Sequence, residues 1–396
     1  MKKIIALLLV IVLLLSFYVC SEFDIISKIK NFDIVALLNN EPDWNTIVVK
    51  ELKVGSPTKY YFKQLSSKEK KAYNNVLSEI DAFPKAIEIP SLNQDELSTV
   101  FEALLYDNPY LFFLGRSCTT TNRGLKSYFN AEYTMSALKY NKMKQALLKK
   151  SAEIMAKLGQ KSQFETELFI HDYIVNNCSY SNTNEDESTA YGALIGKKAA
   201  CEGYSKAAKV LLDMAGIECY VVSGMSNNFQ GHEEDHMWNI VKINNQYYHL
   251  DLTWDDPITI NQSEKNDPRY TYFNITDKDI SKTHSDFSTK NACMAKTDNY
   301  FVKKGLYFTE YNAETRSKIA KALAAAANNG KGSFELELKF GSPEVYAQAF
   351  KWFFDKNQVY DILVVADRFT GKNLSNPTVS YIQNENFNII ELIVDY

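Results

Sequence analysis

Cysteine is scarce in this chain: 6 in 396 residues, too few for a disulfide scaffold at this length. No Cys-x-x-Cys pair occurs, which argues against a structural zinc site. Long basic runs are also missing and the formal net charge is -4, so nothing points to a nucleic acid partner. The longest N-terminal apolar run, residues 4–15, is short for a membrane-spanning helix. What is present reads as globular: 45% hydrophobic and 23% charged residues, with length enough for two or three domains. Tyr (25) and Phe (23) are abundant, which suits strand-rich cores.

Lys2 and Lys3 precede the apolar run, and Ser16-Phe17-Tyr18-Val19-Cys20-Ser21 follows it. A charged start and a short apolar stretch predict a secretory signal over residues 1–21. Three outcomes stay open: cleavage near Cys20, lipidation of Cys20, or retention as a signal anchor. Tyr18 and Val19 are bulky where lipoprotein signals carry small residues. All three place the remainder outside the cytoplasm, secreted or surface-attached, with membrane contact only through this segment. Export permits disulfides, and Cys118, Cys178, Cys219 and Cys293 are candidates with no pairing implied.

Patterning divides the rest into a tether (22–58), an N-terminal α/β unit (59–134), a middle domain (135–290) and a C-terminal α/β unit (300–396). In the first unit, strands are expected at 60–65, 86–89 and 125–133. Helices there open at Ser67 and after Asn93. In the last unit, strands at 306–309, 334–340, 378–381 and 387–394 alternate with helices at 314–328 and after Ser342-Pro343-Glu344. Tyr61-Phe62-Lys63-Gln64 and Tyr307-Phe308-Thr309-Glu310 occupy corresponding places, which predicts a weak internal repeat around the middle. Two unrelated α/β units is the competing reading. Helices at 135–158 and 164–177 open the middle domain.

The middle carries the chemistry. Cys201 stands before Tyr204, Ala207, Ala208, Leu211, Leu212 and Ala215, a helix-period face ending at Gly216. Cys201 therefore falls in the first turn, where unpaired N–H groups and the helix dipole favour a thiolate and can receive an oxyanion. An isolated cysteine would be read as a small buried hydrophobe. A histidine and an aspartate downstream, in order, supply the base and carboxylate that a thiol nucleophile needs.

Residues 236–243 and 246–254 read as two strands joined by Asn244-Asn245. A two-residue turn sets Ile243 opposite Gln246, Trp238 opposite Asp251 and His236 opposite Thr253. Asp251 then shares a face with His236 as its diagonal neighbour, about 7–8 Å away at the backbone. A slip of one residue would part them. Asn239, a rival orienting group, points to the other face. Asp255-Asp256-Pro257 reads as turn chemistry. His232-Glu233-Glu234-Asp235-His236 matches a zinc-protease signature, but that motif works on a helix and its surroundings are β-rich. His232 is instead placed at the mouth of the site with Trp238, and no metal ligand is assigned. His171, His249 and His284 are read as structural.

Residues 167–257 resemble the transglutaminase-like superfamily, in particular its exported microbial members. The matching text is His171-Asp172-Tyr173-Ile174, Asn177-Cys178-Ser179-Tyr180, Ala190-Tyr191-Gly192-Ala193-Leu194, Cys201-Glu202-Gly203-Tyr204, His236-Met237-Trp238-Asn239 and Tyr248-His249-Leu250-Asp251-Leu252-Thr253-Trp254-Asp255. Tyr272-Phe273-Asn274 through His284 is similar to the family's tail, and Asp107-Asn108-Pro109-Tyr110-Leu111-Phe112 matches more faintly. The resemblance implies an α+β, papain/transglutaminase-like core: Cys on a helix N-terminus, His and Asp on adjacent antiparallel strands, with smaller α/β units flanking it. It implies the triad Cys201, His236 and Asp251, and Tyr180 or Tyr191 as second oxyanion donor. Met237 departs from the small residue usual there, and no calcium-site pattern of the animal enzymes is present. The expected activity is thiol acyl transfer on peptide or carboxamide bonds of a protein or peptide substrate, surface- or wall-associated. No cofactor is expected. Hydrolysis is favoured over cross-linking; a non-catalytic binding module is the alternative.

Overall fold

The structure, a computed structural model, describes residues 58–227, 232–256, 268–374 and 376–396. The expected signal, Cys20 and nearly all of the expected tether lie outside them. By its internal contacts the chain divides into two compact units, Met1–Val221 and Val222–Tyr396. The division falls inside the stretch expected to hold the middle domain.

The first described element corrects the sequence reading. Residues 60–65 are rich in aromatics and read as a strand, but Tyr60–Gln64 is a helix, α1. The cause lies far along the chain. The buried Asp107 carboxylate accepts the Tyr61 N–H (3.1 Å) and the Phe62 N–H (2.8 Å), satisfying first-turn donors that a helix otherwise leaves open. The Tyr60 ring stacks on Tyr220 at 3.7 Å. Next come α2 (Ser67–Glu79), β1 (Ile87–Ile89) and α3 (Gln94–Asp107). Ser66 with Glu69, and Asn93 with Glu96, form capping boxes that start the two helices.

A hairpin follows, β2 (Leu114–Arg123) and β3 (Lys126–Tyr133), in a three-stranded antiparallel sheet of order β1-β3-β2. Only β3 was expected. From Arg116 to Arg123, β2 carries no aliphatic or aromatic side chain and is largely exposed, so it has no alternation to read. Helices α4 (Ala137–Met155) and α5 (Gln163–Asn177) lie where expected. A short parallel pair, β4 (Ser179–Tyr180) and β5 (Lys198–Ala199), leads into α6 (Cys201–Met214). Helix α6 is buried on all sides from Gly203 to Leu212. That includes Lys209, whose Nζ donates to Asp213 Oδ2 (2.9 Å), Cys219 O (3.0 Å) and Thr58 O (3.2 Å).

In the second unit, β6 (Cys219–Asn227, starting just before the boundary), β7 (Glu233–Ile243), β8 (Gln246–Leu250), β9 (Phe273–Ile275) and β10 (His284–Ser285) form one sheet, order β10-β6-β7-β8-β9. Helix α7 (Asp277–Ile280) lies between β9 and β10 in sequence. The β7–β8 register has Ile243 opposite Gln246 and Asn239 opposite Leu250, as a two-residue turn demands. Asn244 and Asn245 take left-handed backbone, φ 48 and 68, the conformation this hairpin turn needs. Strand β8 ends at Leu250 rather than at Trp254.

The remainder is α8 (Tyr300–Lys303), β11 (Tyr307–Phe308), α9 (Ala313–Asn329), β12 (Ser333–Phe340), α10 (Pro343–Phe350), α11 (Val359–Asp367), β13 (Thr378–Asn384) and β14 (Ile389–Asp395). Its sheet has the order β11-β12-β14-β13, with β11 parallel to β12 and the other pairs antiparallel. Leu338, Ile390, Leu392 and Val394 are fully buried along it. The repeat reading does not hold. Tyr61 and Phe62 are helical where Tyr307 and Phe308 form a strand, and the β1-β3-β2 sheet is antiparallel where the C-terminal sheet has the parallel pair β11–β12. Helix α11 went unread because Val359, Val364 and Val365 favour strands. The described residues thus mix helices and largely antiparallel sheets, the α+β class. Among them no helix is long and apolar enough to cross a membrane, and no disulfide joins any of Cys118, Cys178, Cys201, Cys219 and Cys293.

Candidate active site

Cys201 is the first residue of α6, as its sequence pattern predicts, and its side chain is partly exposed. The four helices α2 to α5 are each capped by a side chain, from Ser66, Asn93, Ser136 and Ser162. At α6 the cap is Ala200, which offers none. No cap side chain therefore competes for the N–H groups beside the thiol, which are the donors an oxyanion would use. The next residue, Glu202, pairs with Lys206 (2.7 Å) and Arg116 (2.8 Å), and Arg116 also donates to Ser188 Oγ at 3.0 Å. Burial pushes the Glu202 carboxyl up, but Lys206 and Arg116 outweigh it and hold it below the usual range.

Behind the thiol, Gly203 lets α6 meet the loop before it. A Cβ there would lie 2.3 Å from Glu187 O and 2.8 Å from the Ala199 Cβ. That loop, polar in sequence, is wrapped around one carboxylate. Glu187 accepts from Ser181 Oγ (2.9 Å), Asn184 Nδ2 (2.9 Å) and the Thr183 N–H, and the Thr183 bond foremost holds its carboxyl low. Tyr180 is exposed on β4, paired with Ala199 two residues before Cys201. Tyr191 opens the turn at Gly192–Gly196, its ring 6.4 Å from Phe112.

The second unit brings His236 and Asp251 together. His236, on β7, holds its Nε2 2.7 Å from Asp251 Oδ2, and both residues are buried. The carboxylate needs an N–H there, so His236 carries a proton on Nε2, and in the neutral ring the lone pair is on Nδ1. Asp251 follows β8, and its Oδ1 accepts the N–H groups of Thr253 (3.0 Å) and Trp254 (3.2 Å). Those two bonds end the strand by turning the chain on the aspartate side chain. Burial alone would raise the Asp251 carboxyl. Its interactions with His236, joined by the hydrogen bond from His284, overcome this and hold it well below the usual carboxylate range.

His284, read from the sequence as structural, joins the same carboxylate. Its Nε2 lies 3.1 Å from the same Asp251 Oδ2. The only signal that singled it out is its place at the end of the tail similar to the family's. Trp238 is also corrected. At 1% exposure it cannot stand at a site mouth; it lies 6.0 Å from the His236 ring and donates from Nε1 to His249 Nδ1 at 2.9 Å. His249 in turn holds Asp277 Oδ1 at 2.8 Å, a partner no local pattern shows. His232 is exposed just before β7. On a strand, about 3.3 Å per residue puts it about 13 Å along from His236, so the zinc-protease geometry is not formed. His171 is buried, Nδ1 3.0 Å from Asp172 Oδ1. Asp255, read as plain turn chemistry, is fully buried and accepts the Tyr272 N–H at 2.9 Å.

Among the described residues, two clusters have donor atoms close enough to share a cation: His236, Asp251 and His284, and His249, Asp277 and Cys293. In the first, both Nε2 atoms are spent on the carboxylate. In the second, His249 uses both nitrogens, and burial first, then Asp277, push the Cys293 thiol far up, away from the thiolate a metal binds. Both are hydrogen-bond networks.

No curated protein matches the chain. Among solved structures, the chain is similar to a TGase at 16% identity, covering 44% of this chain and 51% of that one, TM-score 0.26. It is also similar to a candidate cysteine protease from Cytophaga hutchinsonii: 11% identity, 35% and 61% covered, TM-score 0.23. A third is a candidate protease from Parabacteroides distasonis: 15% identity, 36% and 33% covered, TM-score 0.21. The chain spans about half the length of the first of these. The family model of the transglutaminase-like superfamily matches residues 151–252, the stretch that holds Cys201, His236 and Asp251. These residues form a transglutaminase-like domain, and they give the α+β fold a transglutaminase-like core.

Proposed function

We propose that this chain is a thiol acyl-transfer enzyme acting on peptide or carboxamide bonds, with Cys201 as nucleophile, His236 as general base and Asp251 as its orienting carboxylate. The buried 2.7 Å bond from His236 Nε2 to Asp251 supports this most directly. It fixes the tautomer whose Nδ1 lone pair can take a thiol proton. Sulfur then bonds to the carbonyl carbon, the C–N bond breaks, and the imidazolium returns its proton to the leaving amine. First-turn N–H groups of α6 are suited to the oxyanion, with Tyr180 or Tyr191 as second donor.

Water resolves the thioester in this reading, so the enzyme is a peptidase or amidase rather than a cross-linker. The partial exposure of Cys201 supports access of water. The substrates are proteins or peptides at or beyond the cell surface, where the N-terminal segment would deliver the chain. Its recovery from the cytosol with residues 1–21 intact would count against that location.

The chemistry is tested by incubating the purified chain with a peptide library in ¹⁸O-labelled water, with and without a fluorescent primary amine. The expected result is a thioester adduct on Cys201 and ¹⁸O in new carboxyl groups, both lost in Cys201→Ala. Incorporation of the amine instead would establish cross-linking. Absence of any Cys201 adduct would overturn the enzymatic reading in favour of a binding module.

A further inference from the structure

Asp251 Oδ2 serves two imidazoles. Besides His236 at 2.7 Å it has the Nε2 of His284 at 3.1 Å. With Thr253 and Trp254 on Oδ1, four donors fill the roughly four lone-pair sites of one carboxylate. His284 is 3% exposed. Its ring lies 4.8 Å from Trp238, 5.1 Å from Trp254 and 5.7 Å from Tyr272. Burial holds its pKa below the usual imidazole value against the pull of Asp251, so it is a neutral donor. Its other nitrogen faces a hydroxyl that can donate or accept, so the carboxylate fixes the polarity. The Tyr272 hydroxyl donates to Thr283 Oγ1 (3.3 Å), and Thr283 Oγ1 lies 2.9 Å from His284 Nδ1. An N–H at Nδ1 would leave a lone pair facing an ionised carboxylate, so the Thr283 hydroxyl donates to Nδ1 and Nε2 carries the hydrogen.

We propose that His284 is a positioning residue: its Nε2–H pins Asp251 Oδ2 and so holds His236 in the tautomer with Nδ1 as the base. As a catalytic statement this rests on the function proposed above. His284 touches neither the thiol nor a substrate in this role. It acts through Asp251, much as outer partners orient ligating histidines in metal sites. Without it the carboxylate has one donor fewer and can swing about its Cβ–Cγ bond, and the His236 ring follows.

The test compares the full chain with His284→Phe, His284→Asn and His284→Gln by ¹⁵N-histidine NMR, with Cys201 acylation rates measured alongside. Glutamine sets an N–H near the place of Nε2; asparagine is polar but too short to do so. In the wild-type chain His236 should be protonated at Nε2. Phe and Asn should mix its tautomers and slow Cys201 acylation about tenfold or more, with KM little changed. Gln should restore both the tautomer and most of the rate. If the Phe variant does not fold, the Asn and Gln pair decides. A wild-type His236 signature and rate in Phe or Asn would overturn the proposal. If the tautomer responds as expected but Cys201 is unreactive even in the wild-type chain, the enzymatic reading fails while the positioning of His236 stands.

Discussion

At position 203 two effects of opposite sign compete within one methyl group. Alanine is a better helix former than glycine by about 0.8–1 kcal/mol, so Gly203→Ala inside α6 should stabilise an isolated helix. In this chain the added Cβ would sit 2.3 Å from Glu187 O and 3.1 Å from Thr189 O. Both are backbone atoms of a loop already fixed by the Ala200 N–H bond to Glu187 O at 2.9 Å. Neither can swing away as a flexible side chain would, so the helix start must move. Overpacking of this kind costs about 1–3 kcal/mol, enough to cancel the propensity gain and exceed it. Gly203→Ala is therefore expected to lower stability in urea titrations and to slow Cys201 alkylation. A more stable variant would show that the loop yields. The glycine of Cys201-Glu202-Gly203-Tyr204 thus has a packing reason beside its chemical neighbour.

The β7–β8 hairpin shows what an element's sequence can and cannot reveal. Its register followed from turn length and side-chain parity, because the two central asparagines take left-handed backbone. Asn245→Ala puts an ordinary side chain at φ 68 and should cost about 1 kcal/mol, while Asn245→Gly should be tolerated. Thermal midpoints of the two variants check this; an alanine as benign as glycine would refute the turn assignment. The end of β8 was not legible. Thr253 and Trp254 favour strands, and the Asp251 side chain overrides them by capturing two N–H groups. Helix α1 misled for the same kind of reason, since its donors are met by Asp107, some 45 residues away. The places of Cys201, His236 and Asp251 in the fold could be read because helix start and strand parity are local properties. His284 and His249 find their partners through tertiary folding, 33 and 28 residues away along the chain, and no periodicity encodes that.

Within the second unit, hydrogen bonds run from the C-terminal sheet to Asp251. Glu337 on β12 accepts the Tyr270 N–H at 2.8 Å and the Thr271 hydroxyl at 3.0 Å. The Tyr272 N–H donates to Asp255 Oδ1 at 2.9 Å, and the Asp255 N–H to Asp251 O at 3.2 Å. Burial, then the charges of Asp255 and Glu391, push the Glu337 carboxyl up from 4.5 to about 8. Nearby, Arg269 pairs with Glu391 at 3.2 Å, and burial lowers the Lys339 amine to about 8. The sign for Glu337 follows from proton counts. Between pH 4.5 and about 8 the unfolded chain has released this proton and the folded chain still holds it. Stability therefore falls as pH rises through that window and is restored as pH drops below it. Glu337→Gln removes the titration while its amide can keep both neighbours bonded. At pH 7 the variant should be more stable than the wild-type chain by about 3 kcal/mol, and near pH 4.5 the two should agree within about 1 kcal/mol. Denaturant titrations at the two pH values measure the difference directly. A Gln variant with no advantage at pH 7 would mean that the carboxylate ionises inside the fold, balanced by Arg269 or Lys339. The link from the sheet to the aspartate would then be a charged one.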